Sequence, residues 1–282
     1  MPELPEVETI KNQLNKFLVG HKVLSVEIKS RKIFPEGEKN LIGGKIKNVR
    51  RFGKVTVIDL NNDYSIATHI KLTGQFVYRG PNLKSPKDLS KKISGGVPGP
   101  HTHVIFTLDK GGFFYYNDIR RFGWMKVVKT SEVFDIPFIK KLGPEPFAGL
   151  TLEKFKEIIS KTKRPIKIVI MDQERMGGIG NIYATDALWL SKINPKKPAN
   201  DLTGIEQKNL FYAILKVLKK GIEMGGASEL AYVTPDGGEG GYQKHFLAYA
   251  QDGKLCTRCK KEKLKKYFLG GRGTYFCPIC QK

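Results

Sequence analysis

The chain has 282 residues, with 49 Lys and Arg against 27 Asp and Glu and a formal charge of +22. That length holds two modest domains with their own cores, and so large a basic excess suits a polyanionic partner, although a basic proteome gives the same bias. No run of ~18 apolar residues offers a membrane span, and no charged-then-apolar leader reads as a secretory signal.

The first predicted element is a helix. Behind Met1-Pro2-Glu3-Leu4-Pro5-Glu6, the residues Val7, Ile10, Leu14, Phe17 and Leu18 recur at helical spacing, and Gly20 stops the run. Pro5 suits a first turn, which has no intrahelical use for its N–H. Pro2 and Glu3 therefore stand just ahead of a helix N-terminus, and two readings fit them. Carboxylates near a helix start are well placed on its dipole, which alone would account for Glu3 and Glu6. The sharper reading starts with removal of Met1, the usual fate of Met before a small residue, which leaves Pro2 as a secondary amine. An α-amino group titrates near ~7.7–8.0, against ~10.4 for Lys, so more of it is a free nucleophile at neutral pH. Its attack on a sugar C1′ gives a cationic iminium, an electron sink for elimination further along the sugar. Glu3 would lie beside that amine as proton donor or acceptor, with Glu6 one turn on.

Residues 22 to about 128 read as short strands. Leu24, Val26 and Ile28 alternate, and β-branched or aromatic runs follow at 55–58, 64–67, 76–78, 104–106 and 113–116. Gly, Asn and Asp punctuate them, a pattern that predicts a sandwich or barrel. The stretch 80–100, rich in Lys, Ser, Pro and Gly, reads as a mobile surface loop. Residues 137–146 hold three prolines and a glycine and read as a linker. Beyond them the period turns helical. Thr151 caps a helix, a second starts near Pro165, and a third follows Gly177-Gly178-Ile179-Gly180-Asn181. Thr203-x-x-Glu206 is a capping box ahead of a long helix that ends at Gly225-Gly226.

All four cysteines lie beyond position 255, leaving a cysteine-free body that argues for a reducing, cytoplasmic setting. Cys256-x-x-Cys259 and Cys277-x-x-Cys280 bracket 17 residues, within the four-cysteine zinc pattern. Two disulfides are the competing account. Four thiolates leave no open position, so one structural Zn2+ would hold a hairpin in shape and do no chemistry. Lysines surround the first pair, and Arg272 sits among glycines that let a backbone approach a partner closely. The domains read as 1–130, a linker at 131–150, a helical unit at 151–250 and a zinc finger at 251–282.

Pro2-Glu3-Leu4-Pro5-Glu6-Val7-Glu8 resembles the opening of bacterial formamidopyrimidine-DNA glycosylase, a base-excision repair enzyme for oxidised purines, and the resemblance runs nearly end to end. It implies a multidomain α+β fold: an N-terminal helix and β-sandwich, then a helix–two-turns–helix domain with a four-cysteine zinc hairpin. It implies a monomer acting on damaged double-stranded DNA, which flips the lesion out, attacks C1′ with Pro2 and eliminates on both sides of the sugar. Glu3 then resembles the acid that helps open the ribose, Glu6 a supporting carboxylate, and Lys54 in Arg50-Arg51-Phe52-Gly53-Lys54 a phosphate- and lesion-binding lysine. His69 resembles a phosphate contact and Leu72 the intercalating side chain, where the family usually has Met. Arg120 and Phe122, in Asn117-Asp118-Ile119-Arg120-Arg121-Phe122-Gly123, resemble the pair that fills the vacated space, with Ile119 in place of a usual Pro. Asn181 and Tyr242 match phosphate contacts, and Arg272 matches the hairpin arginine at the lesion backbone. Asp186 stands where a Glu is usual, and Leu230-Ala231 where Arg-Asp is common. Taken singly, His69 reads as a satisfied strand histidine, Arg120-Arg121 as an exposed pair and Phe122 as core; their shared order carries the resemblance. Two alternatives remain: the related endonuclease VIII activity on oxidised pyrimidines, whose members usually carry Gly at the position of Leu4, and a non-catalytic nucleic-acid binder.

Overall fold

The computed structural model describes residues 1–84 and 88–282. They fall into two compact units, Met1–Lys140 with Ile222–Gln243, and Lys141–Gly221 with Lys244–Lys282. The segment Ile222–Gln243 thus groups with the β-rich unit and not with the helices beside it in sequence.

In the first unit, helix α1 (Leu4–Leu18) precedes β1 (Val23–Ile28), β2 (Ile46–Phe52), β3 (Val55–Leu60), β4 (Tyr64–His69), β5 (Gly74–Arg79), β6 (Thr102–Leu108), β7 (Phe113–Asp118) and β8 (Trp124–Lys129). A short helix, α2 (Pro137–Lys140), ends it. The strands form two four-stranded sheets, ordered β1-β6-β7-β5 and β2-β3-β4-β8, with antiparallel pairings. Val49, Ile58 and Ile66 of one sheet share a core with Phe76, Val104, Phe106, Phe114 and Tyr116 of the other, and Ile10, Leu14, Phe17 and Leu18 of α1 join it. This is the expected sandwich with its N-terminal helix. Burying each such side chain stabilises by roughly 1.5–3 kcal/mol, which ties down a terminus that would otherwise fray.

The outer faces are covered as well. Val55, Val57 and Ala67 pack with Val133, Ile136 and Ile139, and Val77, Ile105 and Tyr115 with Ile93 and Val233. Double-sided burial explains why several strands read as continuous apolar runs; β3 is buried along its whole length. Strand β2 gave no such signal, because it is a charged edge strand. Asn15 of α1 completes its open edge, donating to the Val49 carbonyl at 2.8 Å and accepting the Val49 N–H at 2.9 Å.

The loop expected at 80–100 lies partly outside the described residues, at 85–87. Its later part is packed: the Ser90 N–H donates to the Gly237 carbonyl at 2.8 Å, Lys92 to the Ser228 carbonyl at 2.7 Å, and Ile93 is buried.

The second unit carries α3 (Leu152–Ser160), α4 (Ile166–Met171), α5 (Asn181–Leu190), most of α6 (Gly204–Glu223) and the hairpin of β9 (Lys265–Leu269) and β10 (Arg272–Phe276). Both predicted caps form. Thr151 accepts the Lys154 N–H, and Thr203 and Glu206 exchange bonds of 2.8 and 3.3 Å. α5 is buried from Ile182 to Trp189, and its Trp189 packs with Ala248, Leu264, Cys256 and Cys277. Among the described residues no helix is long and apolar enough to cross a membrane.

Candidate catalytic and nucleic-acid-binding sites

Glu3 is the N-cap of α1, and Glu3 and Glu6 close a reciprocal capping box in which the Glu3 N–H donates to Glu6 Oε2 at 2.7 Å. The second Glu6 oxygen accepts the Ala227 N–H at 2.7 Å, 221 residues further along. Gly226 permits that approach: its φ is +81°, and a Cβ there would stand 2.8 Å from Glu6 Cγ. Buried Tyr232 donates its hydroxyl to the Gly225 carbonyl at 3.0 Å. Burial, and then the Glu6 charge, hold that phenol well above its ordinary pKa of 10.0, so it stays a donor.

Pro2 is buried, and Glu3, Glu6 and Lys54 are 3%, 1% and 3% exposed. Lys54 follows Gly53, whose φ of +56° makes the tight β2–β3 turn. The Met1 amino group of the unprocessed chain shares this environment. Burial lowers its pKa below the ordinary 8.0, the charges of Glu3, Glu6 and Glu229 pull upward, and Lys54 adds to the lowering. The structure therefore brings Pro2, Glu3, Glu6 and Lys54 together. An amine freed at Pro2 by loss of Met1 would stand in this buried setting beside carboxylates, a nucleophile with proton carriers at hand.

His69 ends β4 with its Nδ1 accepting the Lys71 N–H at 3.0 Å, which puts the ring proton on Nε2. Burial, and then the charges of Lys71 and Lys54, push its pKa down to about 3. It can offer a phosphate a neutral N–H donor and no charge. Leu72, half-buried, lies in the β4–β5 turn. Arg120 and Phe122 follow β7 and are exposed, the guanidinium 4.7 Å from the centre of the Phe122 ring. Ile119 and Phe122 hold 43% and 50% of their surface in solvent, an apolar tip of the kind that parts stacked bases. Tyr242 is buried and its N–H already donates to the Gly226 carbonyl at 2.9 Å, so a backbone contact to phosphate is closed to it.

In the second unit, Asn181 opens α5 behind Gly180, at a helix N-terminus where backbone N–H groups favour an anion. Its amide donates to the Gly273 carbonyl at 3.1 Å, and Oδ1 is buried without a hydrogen-bond partner. Lys167, fully buried, grips the same carbonyl at 3.2 Å and Thr274 Oγ1 at 2.9 Å. Arg272, exposed and next to Gly273, is thereby held near Asn181. Sequence reasoning missed Lys167 and Glu229 and gave Asp118, quoted within its motif, no role: a lysine in an apolar run announces no partner. Asp186, buried, caps a backbone turn, accepting from the N–H groups of Leu247, Ala248 and Tyr249 at 3.2, 2.9 and 3.0 Å.

The sulfurs of Cys256, Cys259, Cys277 and Cys280 lie within 4.8 Å of one another. Cys256–Cys280 and Cys259–Cys277 are 3.9 and 3.7 Å apart, far beyond the ~2.05 Å of a disulfide. Zn–S bonds of ~2.3 Å in a tetrahedron put sulfurs about 3.8 Å apart. The four cysteines are positioned to bind a metal ion, and two disulfides do not describe them.

Comparison with known proteins finds relatives over the whole chain. Residues 1–125 match the model of the formamidopyrimidine-DNA glycosylase N-terminal domain, and residues 142–231 that of its H2TH domain. The formamidopyrimidine-DNA glycosylase of Rickettsia africae is 39% identical over 286 residues, covering 100% of this chain and 99% of that protein. That of Pelotomaculum thermopropionicum is 37% identical over 288 residues, with coverage of 100% and 99%. Among solved structures, Lactococcus lactis Fpg bound to DNA containing an abasic site superposes with a TM-score of 0.86 at 31% identity, covering 99% of each chain. The MutM (Fpg) protein of Thermus thermophilus does so with 0.86 at 32%, covering 99% of this chain and 98% of its own.

Proposed function

The chain belongs to the formamidopyrimidine-DNA glycosylase family, and from that premise we propose that it excises oxidised purines from duplex DNA and cleaves the resulting abasic site. With Met1 removed, the Pro2 nitrogen attacks C1′ of an extruded nucleotide as the glycosidic C–N bond breaks, and the base departs with a proton. Glu3 protonates the ribose oxygen as the ring opens, and the nitrogen lone pair closes the iminium. Loss of a proton from C2′ expels the 3′-phosphate, a second elimination expels the 5′-phosphate, and water releases the amine. Glu6 holds the turn through its two N–H acceptances. Lys54 binds phosphate and lesion beside the amine. His69, Asn181 and Arg272 hold the backbone, while Leu72, Arg120 and Phe122 occupy the vacated space; Tyr242, whose N–H is taken by Gly226, supports the turn instead. The four cysteines take one Zn2+, which fixes the β9–β10 hairpin and supplies no chemistry. The chain works as a monomer in the cytoplasm.

One observation carries the reading: Pro2 is buried at the start of the chain together with two carboxylates, Glu3 and Glu6, and with Lys54. Borohydride reduces an iminium to a stable amine, so incubation with 8-oxoguanine or abasic duplex should leave a covalent adduct. A non-catalytic binder would retard the DNA and give none, and a pyrimidine enzyme would be trapped on abasic and oxidised-pyrimidine duplexes but not on 8-oxoguanine.

A further inference from the structure

Asp118, at the end of β7, is a fully buried carboxylate that the proposed mechanism does not use. Its Oδ1 accepts the Thr73 hydroxyl at 2.5 Å, and its Oδ2 accepts the Gly123 N–H at 2.8 Å and the Tyr116 hydroxyl at 3.4 Å. Thr73 Oγ1 in turn accepts the Arg120 N–H at 3.1 Å. The excursion Arg120-Arg121-Phe122 is therefore fastened at both ends, through Thr73 on one side and directly to Asp118 on the other. Thr73 is the residue after Leu72, so the same carboxylate also fixes the β4–β5 turn.

The surroundings show how closely this joint is fitted. A Cβ on Gly74 would fall 2.4 Å from the Ile70 carbonyl oxygen, and one on Gly123 would fall 1.8 Å from the Tyr116 hydroxyl. Burial and the Asp118 charge hold the Tyr116 phenol protonated and able to donate. Asp118 itself is anchored, its N–H to the His101 carbonyl at 2.9 Å and its carbonyl to the His103 ring at 2.9 Å. Inside the excursion, Arg121 has a φ of +52°, a conformation that L residues adopt only when the surroundings impose it.

We infer that Asp118 is a positioning residue that joins the Leu72 turn and the Arg120–Phe122 turn into one preformed wedge. The inference rests on the reading of those side chains as the ones that enter the duplex. Loose turns would have to order on contact with DNA, and that loss comes off the energy available for unstacking; joined turns arrive already ordered. Neither Asp118 nor Thr73 touches DNA in this account.

The test uses Thr73→Val, which keeps the side-chain shape and deletes the hydroxyl, and Thr73→Ser, which restores it. Two readouts are taken: the fluorescence of 2-aminopurine beside the lesion, which reports unstacking, and single-turnover excision. Thr73→Val should abolish the unstacking signal and slow excision by on the order of 10²-fold, and Thr73→Ser should recover both. Borohydride trapping on an abasic duplex, where no base need be extruded, should change little. In a Leu72→Ala, Phe122→Ala background, Thr73→Val should cost nothing further. Full additivity there, or equal losses in abasic trapping and in melting temperature, would make Asp118 a staple of the fold and overturn the inference, as would native protein that unstacks nothing. Should the native chain unstack the duplex yet form no adduct, the glycosylase reading fails while loss of unstacking in Thr73→Val still supports the wedge.

Discussion

The amino-terminal turn and the cysteine hairpin hold their functional groups by different means. At the turn, protein supplies the rigidity: Glu3, Glu6 and Lys54 are nearly inaccessible, and Glu6 uses both oxygens on backbone N–H groups. The hairpin is buried at its base, where Cys256, Leu264 and Cys277 pack with Trp189, and open along β9, where Phe268 is 74% exposed; Gly273 in β10 is held from outside by Lys167 and Asn181. Its four sulfurs are placed to bind a metal ion that would hold the rest of its shape. One region is organised by burial and carries the proposed chemistry, whereas the other is placed to take a metal and presents the arginine proposed to meet the partner.

Experiments that separate the two regions break or sharpen this contrast. The largest effect should come from one residue kept ahead of Pro2. Blocking the amine should reduce adduct formation and strand cutting by at least on the order of 10³-fold, with DNA retention and thermal melting unchanged. Next, stripping the metal with a chelator should unfold the hairpin. A structural zinc contributes on the order of 10 kcal/mol to such a site, so DNA affinity should collapse. The β-rich unit should still melt at its original temperature by calorimetry; a joint collapse would show that the metal organises both. Arg272→Ala should weaken binding to lesion DNA by about tenfold, the worth of one charged contact, with metal content intact by elemental analysis. Unchanged affinity would remove Arg272 from the interface.

The smallest effect belongs to His69. Its folded pKa of about 3 lies below the ordinary 6.5, so between those values the unfolded chain binds the extra proton. Stability from this residue is present above pH 6.5 and is lost as pH falls toward 3. His69→Gln should flatten that acid limb in a melting-temperature profile, and an unchanged limb would assign the loss to other groups.

How much of this was legible in the sequence depended on range. The cysteine pairs, the Thr203–Glu206 box and the α1 stripe are local patterns, and the chain reads them out within a few residues. Pro2 and Glu3 were legible because a helix start is a local event. The partners that fix them were not. Ala227 lies 221 residues from Glu6, and no periodicity links a glycine pair after one helix to a carboxylate at the start of another. Asp118 was quoted within its motif, but its Thr73 partner lies 45 residues earlier, on another strand. Lys167 sits in an apolar run and looks like an interruption until Gly273 and Thr274 are placed beside it. Strand β2 was hidden by its charge, since its edge is closed by Asn15 and not by another strand.

The most direct test of the central claim is to map the borohydride adduct formed with an 8-oxoguanine duplex by mass spectrometry of its peptides. The account predicts a single modified peptide, beginning at Pro2 with Met1 gone and the sugar remnant on its nitrogen. A cross-link at Lys54, or full-speed cutting by a chain that retains Met1, would contradict it.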